Sequence, residues 1–522
     1  MNSQFFDGTA ESVAVLRDAV ASVLDMLASN SPHQPFPART PAELRAAIEA
    51  FDPLPARGVP FTDVIKEAGE TVVASGARVV DPRCAAHLHA PTLMSSAATE
   101  LAIGVTNQSM DSFDQAPAAT YAEDHLVRTI AGVLGLPEQA SGVITSGGTA
   151  SNLLGLLLAR DRAAGGANVT GLPPAAAGWR VLASQAAHTS VRQACAVLGL
   201  GRDAVVPVDT DGSGRIRLEA LDETLRAAER HGHQPIAIVG TAGTTDTGAI
   251  DPLDALAQRA AQCGAWFHVD AAVGAGLALS HRLAPMLRGI EKADSVTADL
   301  HKLWWQPIGA SMLLVRDAGS THGLREPADY LNRAEDNDVL NLVDRSLDTS
   351  RRFDALKMLV SLRATGRDRL AGFVEHLVDL AAEAGRLIHA HPELELVVPP
   401  QSITVLFRCH PAVTTTDDDL DALNTDVQRT LLGEGRAVVG RTRLRGRVAL
   451  KLTLVNPTAT AEDIAELLDL ISATGRRRTA NCPSPRPRPG PHSSSPPEPD
   501  PPSRVDHHQK TPFGPVERSY RP

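Results

Sequence analysis

Lys302, in the run Ala298-Asp299-Leu300-His301-Lys302, lies a few tens of residues beyond a strand-like segment, Ala265-Trp266-Phe267-His268-Val269-Asp270. An amine that follows an apolar β segment can be desolvated, which lowers its pKa and frees it for Schiff-base chemistry. A carboxylate at the end of a neighbouring strand, here Asp270, is what a pyridinium nitrogen needs as its counter-ion. The pair suggests pyridoxal 5′-phosphate. Each residue alone has an ordinary explanation, because His-Lys dipeptides are mostly solvated surface and a strand-end Asp is often a turn residue or a cap.

Other segments add to the pair. Gly147-Gly148-Thr149 follows the apolar run Gly142-Val143-Ile144-Thr145 and opens a helix over Asn152–Arg160. Glycines allow close backbone approach, and the free amides of a helix start favour phosphate. His188 lies just past the strand-like Arg180–Ala183, where an imidazole can stack on a flat cofactor. The run Gly240–Gly248, with Thr244 in it, is built of small and hydroxyl residues that let a planar ligand lie against the backbone. Asp270 is followed by Ala271 and Ala272, and Ser295 precedes Lys302 at a spacing that can return its hydroxyl to a phosphate.

These residues need a scaffold, and the chain supplies one. From residue 86 to 355 short apolar runs (142–145, 180–183, 235–239, 265–269, 293–297 and 310–315) alternate with helical stretches, a pattern that predicts an α/β fold with a mainly parallel sheet covered by helices on both faces. Residues 1–85 read as a helical segment broken by prolines, with amphipathic patterns over Val13–Leu27 and from Pro41 to Phe51. A helix near Arg351–Gly366 leads to a smaller α+β domain, 356–474, with strands at Ile403–Phe407 and Arg447–Leu454 and a closing helix Ala461–Ile471 capped by Thr460. The Pro-rich stretch 475–522 cannot bury enough apolar surface to fold and is expected to be disordered.

Composition sets outer bounds. With 522 residues and 43% hydrophobic content there is material for a sizeable core. A net charge of −11 argues against nucleic-acid binding, and the arginines of 441–447 and 476–478 read as solvated surface. No apolar run reaches the roughly 20 residues of a membrane span and no signal peptide is evident, so the expected compartment is the cytoplasm. The five cysteines are scattered without CxxC spacing, which indicates neither a disulfide framework nor a metal site.

Taken jointly, Thr145-Ser146-Gly147-Gly148-Thr149-Ala150-Ser151-Asn152-Leu153, Ala187-His188-Thr189-Ser190, Gly243-Thr244-Thr245, His268-Val269-Asp270-Ala271-Ala272 and Ala293-Asp294-Ser295 leading to His301-Lys302 resemble the group II pyridoxal-dependent decarboxylases, in that family's order and spacing. The resemblance spans about residues 50 to 474. Within the family, Cys84–Pro91, Asn107–Ser112 and Trp304-Trp305-Gln306-Pro307 look most like the diaminobutyrate and lysine-type enzymes.

The resemblance implies a fold-type I pyridoxal-phosphate transferase architecture, a homodimer, and decarboxylation of an L-amino acid. It implies that Lys302 carries the cofactor as a Schiff base, Asp270 pairs with the ring nitrogen, and His188 and Ala272 cover the two ring faces. Gly147, Gly148, Thr149, Ser295 and His301 would hold the phosphate, with Thr244 also at the cofactor. The polar residues His87, His89, Asp111 and Gln306 are the candidates for a substrate with a distal amine. Two departures stand out. Asp299 occupies a place where the aromatic and glutamate enzymes carry an amide, and the region Asn341–Asp344 lacks the aromatic branch's tyrosine proton donor. Tyr330 is the tyrosine nearest that region, and a proton from His188 or a bound water is expected instead. Two further readings are another fold-type I activity, such as an aminotransferase or an aldehyde-forming decarboxylase, and a non-catalytic binding module.

Overall fold

The computed structural model describes residues 5–165, 167–326, 328, 339–411 and 416–480. The β-branched and apolar runs form one seven-stranded sheet from β1 (Ser141–Thr145), β2 (Trp179–Ser184), β3 (Val205–Val208), β4 (Gln234–Thr241), β5 (Trp266–Asp270), β6 (Ser295–Asp299) and β7 (Ser311–Val315), in the order β1-β7-β6-β5-β4-β2-β3. Strands β3, β2, β4, β5 and β6 are mutually parallel. Strand β7 runs antiparallel to both β6 and β1, so β1 points the same way as the parallel set. The carboxyl ends of β1, β2, β4, β5 and β6 therefore share one edge, where open α/β sheets bind ligands.

Both faces of the sheet are covered, as its near-continuous apolar strands require. Leu182, Ile238, Phe267, Val269 and Val296 belong to one buried cluster. Their neighbours Val181, Ala183, Ala237, Val239 and Trp266 belong to a second cluster on the opposite face. The first cluster continues into a four-stranded antiparallel sheet of β8 (Leu394–Val398), β9 (Thr404–Cys409), β10 (Gly440–Leu444) and β11 (Arg447–Thr453), ordered β10-β11-β9-β8, through Val405, Phe407 and Leu450.

Three strands were not anticipated, and all three are edges: β3, β8 and β10. Edge strands carry Pro and charges that blunt pairing with other chains, and here Pro207, Glu395, Arg441 and Arg443 erase the apolar signal. Strand β6 is displaced two residues from the expected 293–297. Its pairing with β5 opens at His268 and Ser295, its pairing with β7 closes at Asp299 and Ser311, and the Asp294 carboxylate just before it accepts the Phe267 N–H at 2.7 Å. The closing helix runs over Ala461–Ala480, beyond the expected Ile471 and into the stretch read as tail. Thr460 Oγ1 accepts the Asp463 N–H at its start. Near its end Arg476, Arg477 and Arg478 meet Glu393, Glu434 and Asp426, where cations also suit the helix dipole. These arginines are ion-paired, not merely solvated. The rest of the expected tail, 481–522, and Tyr330 with its acidic stretch lie outside the described residues.

The N-terminal segment forms helices Ala10–Asn30, Pro41–Glu49 and Phe61–Ala68, the second held by a capping box between Thr40 and Glu43. Ala10–Asn30 buries only Ser12, leaving Val13, Val15, Leu24 and Leu27 exposed. Among the described residues no helix is long and apolar enough to cross a membrane.

Candidate active site

The loops at the shared carboxyl edge enclose a cleft of ≈ 320 Å³. Gly147, Gly148 and Thr149 reach it from β1, His188 from β2, Thr245 from β4, Asp270 and Ala272 from β5, and Asp299, His301 and Lys302 from β6. The helix Gly148–Ala164 starts in the cleft with Gly147 at its N-cap and no side-chain cap. Thr149 therefore does not act as the cap, and the orphan amides of the first turn are left for an anion.

Behind the cleft, Asp270 is tied into a buried network centred on Asn152. The Asn152 amide donates to Asp270 Oδ2 at 2.8 Å and to Ser190 Oγ at 2.9 Å. Its oxygen accepts from His268 Nε2 at 2.9 Å and from Thr297 Oγ1 at 2.7 Å, which saturates the side chain. Ser190 is 2.8 Å from His188 Nδ1, so one amide links the cleft's aspartate to its histidine. His268 Nδ1 accepts from Ser295 Oγ at 2.8 Å, and Ser295 accepts the Trp266 indole N–H at 2.7 Å. Burial lowers the His268 pKa from the usual 6.5 to about 4, against a smaller opposing pull from Asp270. A neutral ring is also what these bonds demand, one nitrogen donating and the other accepting. Gly155 makes room for it, since a Cβ there would lie 2.7 Å from His268 Cε1.

The Lys302 side is charged instead. Lys302 Nζ is 2.9 Å from Asp299 Oδ2, and Ser311 Oγ donates to Asp299 Oδ1 at 2.6 Å. Ser311 is 3.1 Å from Ser151 Oγ, which is 2.7 Å from Thr145 Oγ1, so hydroxyls bridge from β6 across β7 to β1. His301 pairs Nδ1 with the Ala310 carbonyl at 3.0 Å.

Comparison with known proteins decides what this cleft belongs to. Residues 41–410 match the pyridoxal-dependent decarboxylase conserved domain. The chain belongs to the pyridoxal-dependent decarboxylase family. An L-2,4-diaminobutyrate decarboxylase of Rhizobium meliloti (strain 1021) is 38% identical over 478 residues, covering 91% of this chain and 94% of the relative. The glutamate decarboxylase domain of a diaminobutyrate-pyruvate transaminase and L-2,4-diaminobutyrate decarboxylase from Vibrio parahaemolyticus superposes with a TM-score of 0.83 at 34% identity, over 91% of this chain and 98% of that one. Oryza sativa TDC, solved with PLP and tryptamine, superposes with a TM-score of 0.83 at 26% identity, over 91% of this chain and 100% of that one. The protein is a pyridoxal 5′-phosphate-dependent carboxy-lyase of fold type I.

The decarboxylase's donor set fits that cofactor: a lysine amine, a strand-end carboxylate, a ring-sized imidazole and a helix start without a side-chain cap converge on one cleft. Of the residues expected from sequence, Lys302, Asp270, His188, Ala272, His301, Gly147, Gly148 and Thr149 line it. Ser295 does not. It opens β6 at the end remote from Lys302, is buried, and its hydroxyl serves Trp266 and His268. Thr244 is also buried, bonded to Thr247 Oγ1 and the Ala249 N–H, and Thr245 takes the place at the cleft.

The four substrate candidates do not line the cleft either. Gln306 is buried, its oxygen accepting from Ser96 and Ser361 and its amide donating to the Trp304 carbonyl. Asp111 is bonded to Ser109 and Ser350, and His87 lines a separate cavity with Phe36 and Arg441. Half-buried His89 has its pKa lowered by burial first and then by His87 and His301.

Sequence reasoning missed Asn152, Ser190, His268 and Lys451. Asn152 and Lys451 had a legible signal, a polar side chain on an otherwise apolar face. Lys451 sits in Val448-Ala449-Leu450-Lys451-Leu452 of β11, donates to the Thr245 carbonyl at 2.9 Å, and has its pKa lowered by burial against the pull of Asp246.

Proposed function

We propose that the enzyme decarboxylates an L-amino acid with a distal amine, of the diaminobutyrate class. The observation that carries this is the 38% identity to a diaminobutyrate decarboxylase across 94% of that protein's length. The cleft lining agrees: among the described residues it holds no Phe, Tyr or Trp, which an aromatic substrate would favour.

In this reading Lys302 holds the cofactor covalently, and Gly147, Gly148 and Thr149 receive its phosphate at the helix start. Asp270 keeps the ring nitrogen protonated, and Asn152 holds Asp270 in place. His188 covers one ring face and Ala272 the other. When bound, pyridoxal 5′-phosphate supplies the electron sink that accepts the pair left as CO₂ departs. His188 or a bound water would return the proton to Cα, and Ser190, 2.8 Å from Nδ1, orients the ring for it.

The active form in this proposal is a homodimer, in which the partner covers Val13, Val15, Leu24 and Leu27. Light scattering of the purified chain checks this, and a monomer at working concentration rejects it. CO₂ release and product analysis across diaminobutyrate, ornithine, lysine, glutamate, aspartate and aromatic amino acids test the substrate. The highest kcat/KM is expected for diaminobutyrate, with an amine product. An aromatic amino acid turned over faster, or an aldehyde product, overturns the proposal.

A further inference from the structure

The anion seat at the Gly148 helix start already contains a negative charge. A Cβ placed on Gly148 would lie 3.0 Å from both Asp299 carboxylate oxygens, so that carboxylate stands against the first turn of the helix. It is 3% exposed, and it lines the cleft. The positive end of a helix is equivalent to about half a charge, enough to favour one anion. A phosphate docking on the same turn brings a second anion into contact range, and like charges at that separation resist joint ionisation.

The cleft has little to compensate with. Among the described residues no arginine lines it, and its charged or titratable groups are Asp270 and Asp299 against Lys302, His188 and His301. Lys302, 2.9 Å away, neutralises Asp299, but its nitrogen is the one assigned to the cofactor bond. His301 Nε2 is 3.6 Å from Asp299, beyond hydrogen-bond distance, and its Nδ1 donates to Ala310 instead. The remaining donor is the Ser311 hydroxyl.

We propose that Asp299 is a charge brake on cofactor binding: its carboxylate competes with the phosphate for the seat, so the cofactor is held more loosely than by the same seat with an amide, and the penalty grows as pH rises. The inference rests on Gly147–Thr149 being the phosphate seat. Asp299→Asn keeps the shape and an acceptor for Ser311 while removing the charge.

The test measures equilibrium binding to cofactor-free protein between pH 6 and 8.5, with pyridoxal 5′-phosphate and with pyridoxal, which lacks the phosphate. It is made in the native chain and in a Lys302→Ala background, where the covalent bond and the lysine charge are both absent. Asp299→Asn is expected to tighten the phosphorylated ligand by about ten-fold at pH 8, less at pH 6, and to leave pyridoxal unchanged. Asp299→Ser replaces it if the amide variant misfolds by circular dichroism. Unchanged or weaker binding of the phosphorylated ligand, or equal tightening of both ligands, overturns the brake. Thr149→Ala separates the two readings. If it weakens only the phosphorylated ligand while Asp299→Asn tightens nothing, the seat stands and the brake falls. If it affects neither ligand, the seat assignment falls and the brake with it.

Discussion

The two sides of the cleft are built on opposite principles. On the Asp270 side, Asn152, His268, Ser190, Thr297 and Ser295 are buried and hydrogen-bond to one another and to the Asp270 carboxylate until the capacity of Asn152 is used. On the Lys302 side a charged pair, Lys302 and Asp299, with His301 beside it, is held by Ser311 and one carbonyl. A saturated buried network is rigid and costly to disturb. A charged pair facing a cleft can exchange partners. The difference suits a site in which one group must stay put beneath a ring nitrogen while an amine must bind and let go.

The comparison breaks most severely at the lysine. Lys302→Ala should lower decarboxylation by about 10⁴-fold or more and abolish borohydride-stable labelling by the cofactor, with little change in melting temperature. Persistent labelling would move the covalent role elsewhere. Asn152→Ala strikes the rigid side and should do two things: cost about 3 kcal/mol of stability, because several buried partners lose their bonds, and lower turnover about 10²-fold through a misplaced Asp270. Normal turnover in a folded Asn152→Ala enzyme would show that Asp270 needs no orienting partner.

The smallest effect sharpens the electrostatic half. The folded state holds His268 neutral down to about pH 4, whereas an unfolded histidine titrates near 6.5. A depressed histidine pKa contributes stability that is full above 6.5 and lost as pH falls towards 4, because the unfolded chain binds the proton first. Melting temperature should therefore drop across that window, and His268→Gln should be less stable at neutral pH but flatter below it. An equal slope in the variant would assign the acid sensitivity to other groups.

Sequence made the cleft's rim legible because its residues sit where periodicity ends: Gly147, His188, Asp270 and Lys302 each follow a recognisable apolar run. It hid what lies behind the rim. Ser295 looked like a phosphate ligand because distance along the chain says nothing about which end of a strand a residue occupies, and β6 begins two residues later than its apolar pattern suggests. Gln306 looked like a substrate contact because a polar residue beside a catalytic lysine reads as exposed, yet its amide holds together Ser96, Ser361 and the Trp304 carbonyl. Asn152 was quoted within a motif without a role, since saturation by four partners from two strands and one helix cannot be read from spacing.

Strand β7 carries a consequence for the order in which the site comes into being. It is the last of the seven strands in the chain, yet it lies between β1 and β6, and Ser311 at its start pairs with Thr145 on one side and Asp299 on the other. A chain emerging from the ribosome carries the glycine turn from residue 147 and the lysine from residue 302, but until Val315 is out no strand pairs with both β1 and β6. Insertion of that strand is a long-range pairing, slow by its topology. The pairing that joins β1 to β6 through β7 is therefore among the last the sheet can make, and with it the spacing between the glycine turn and Lys302.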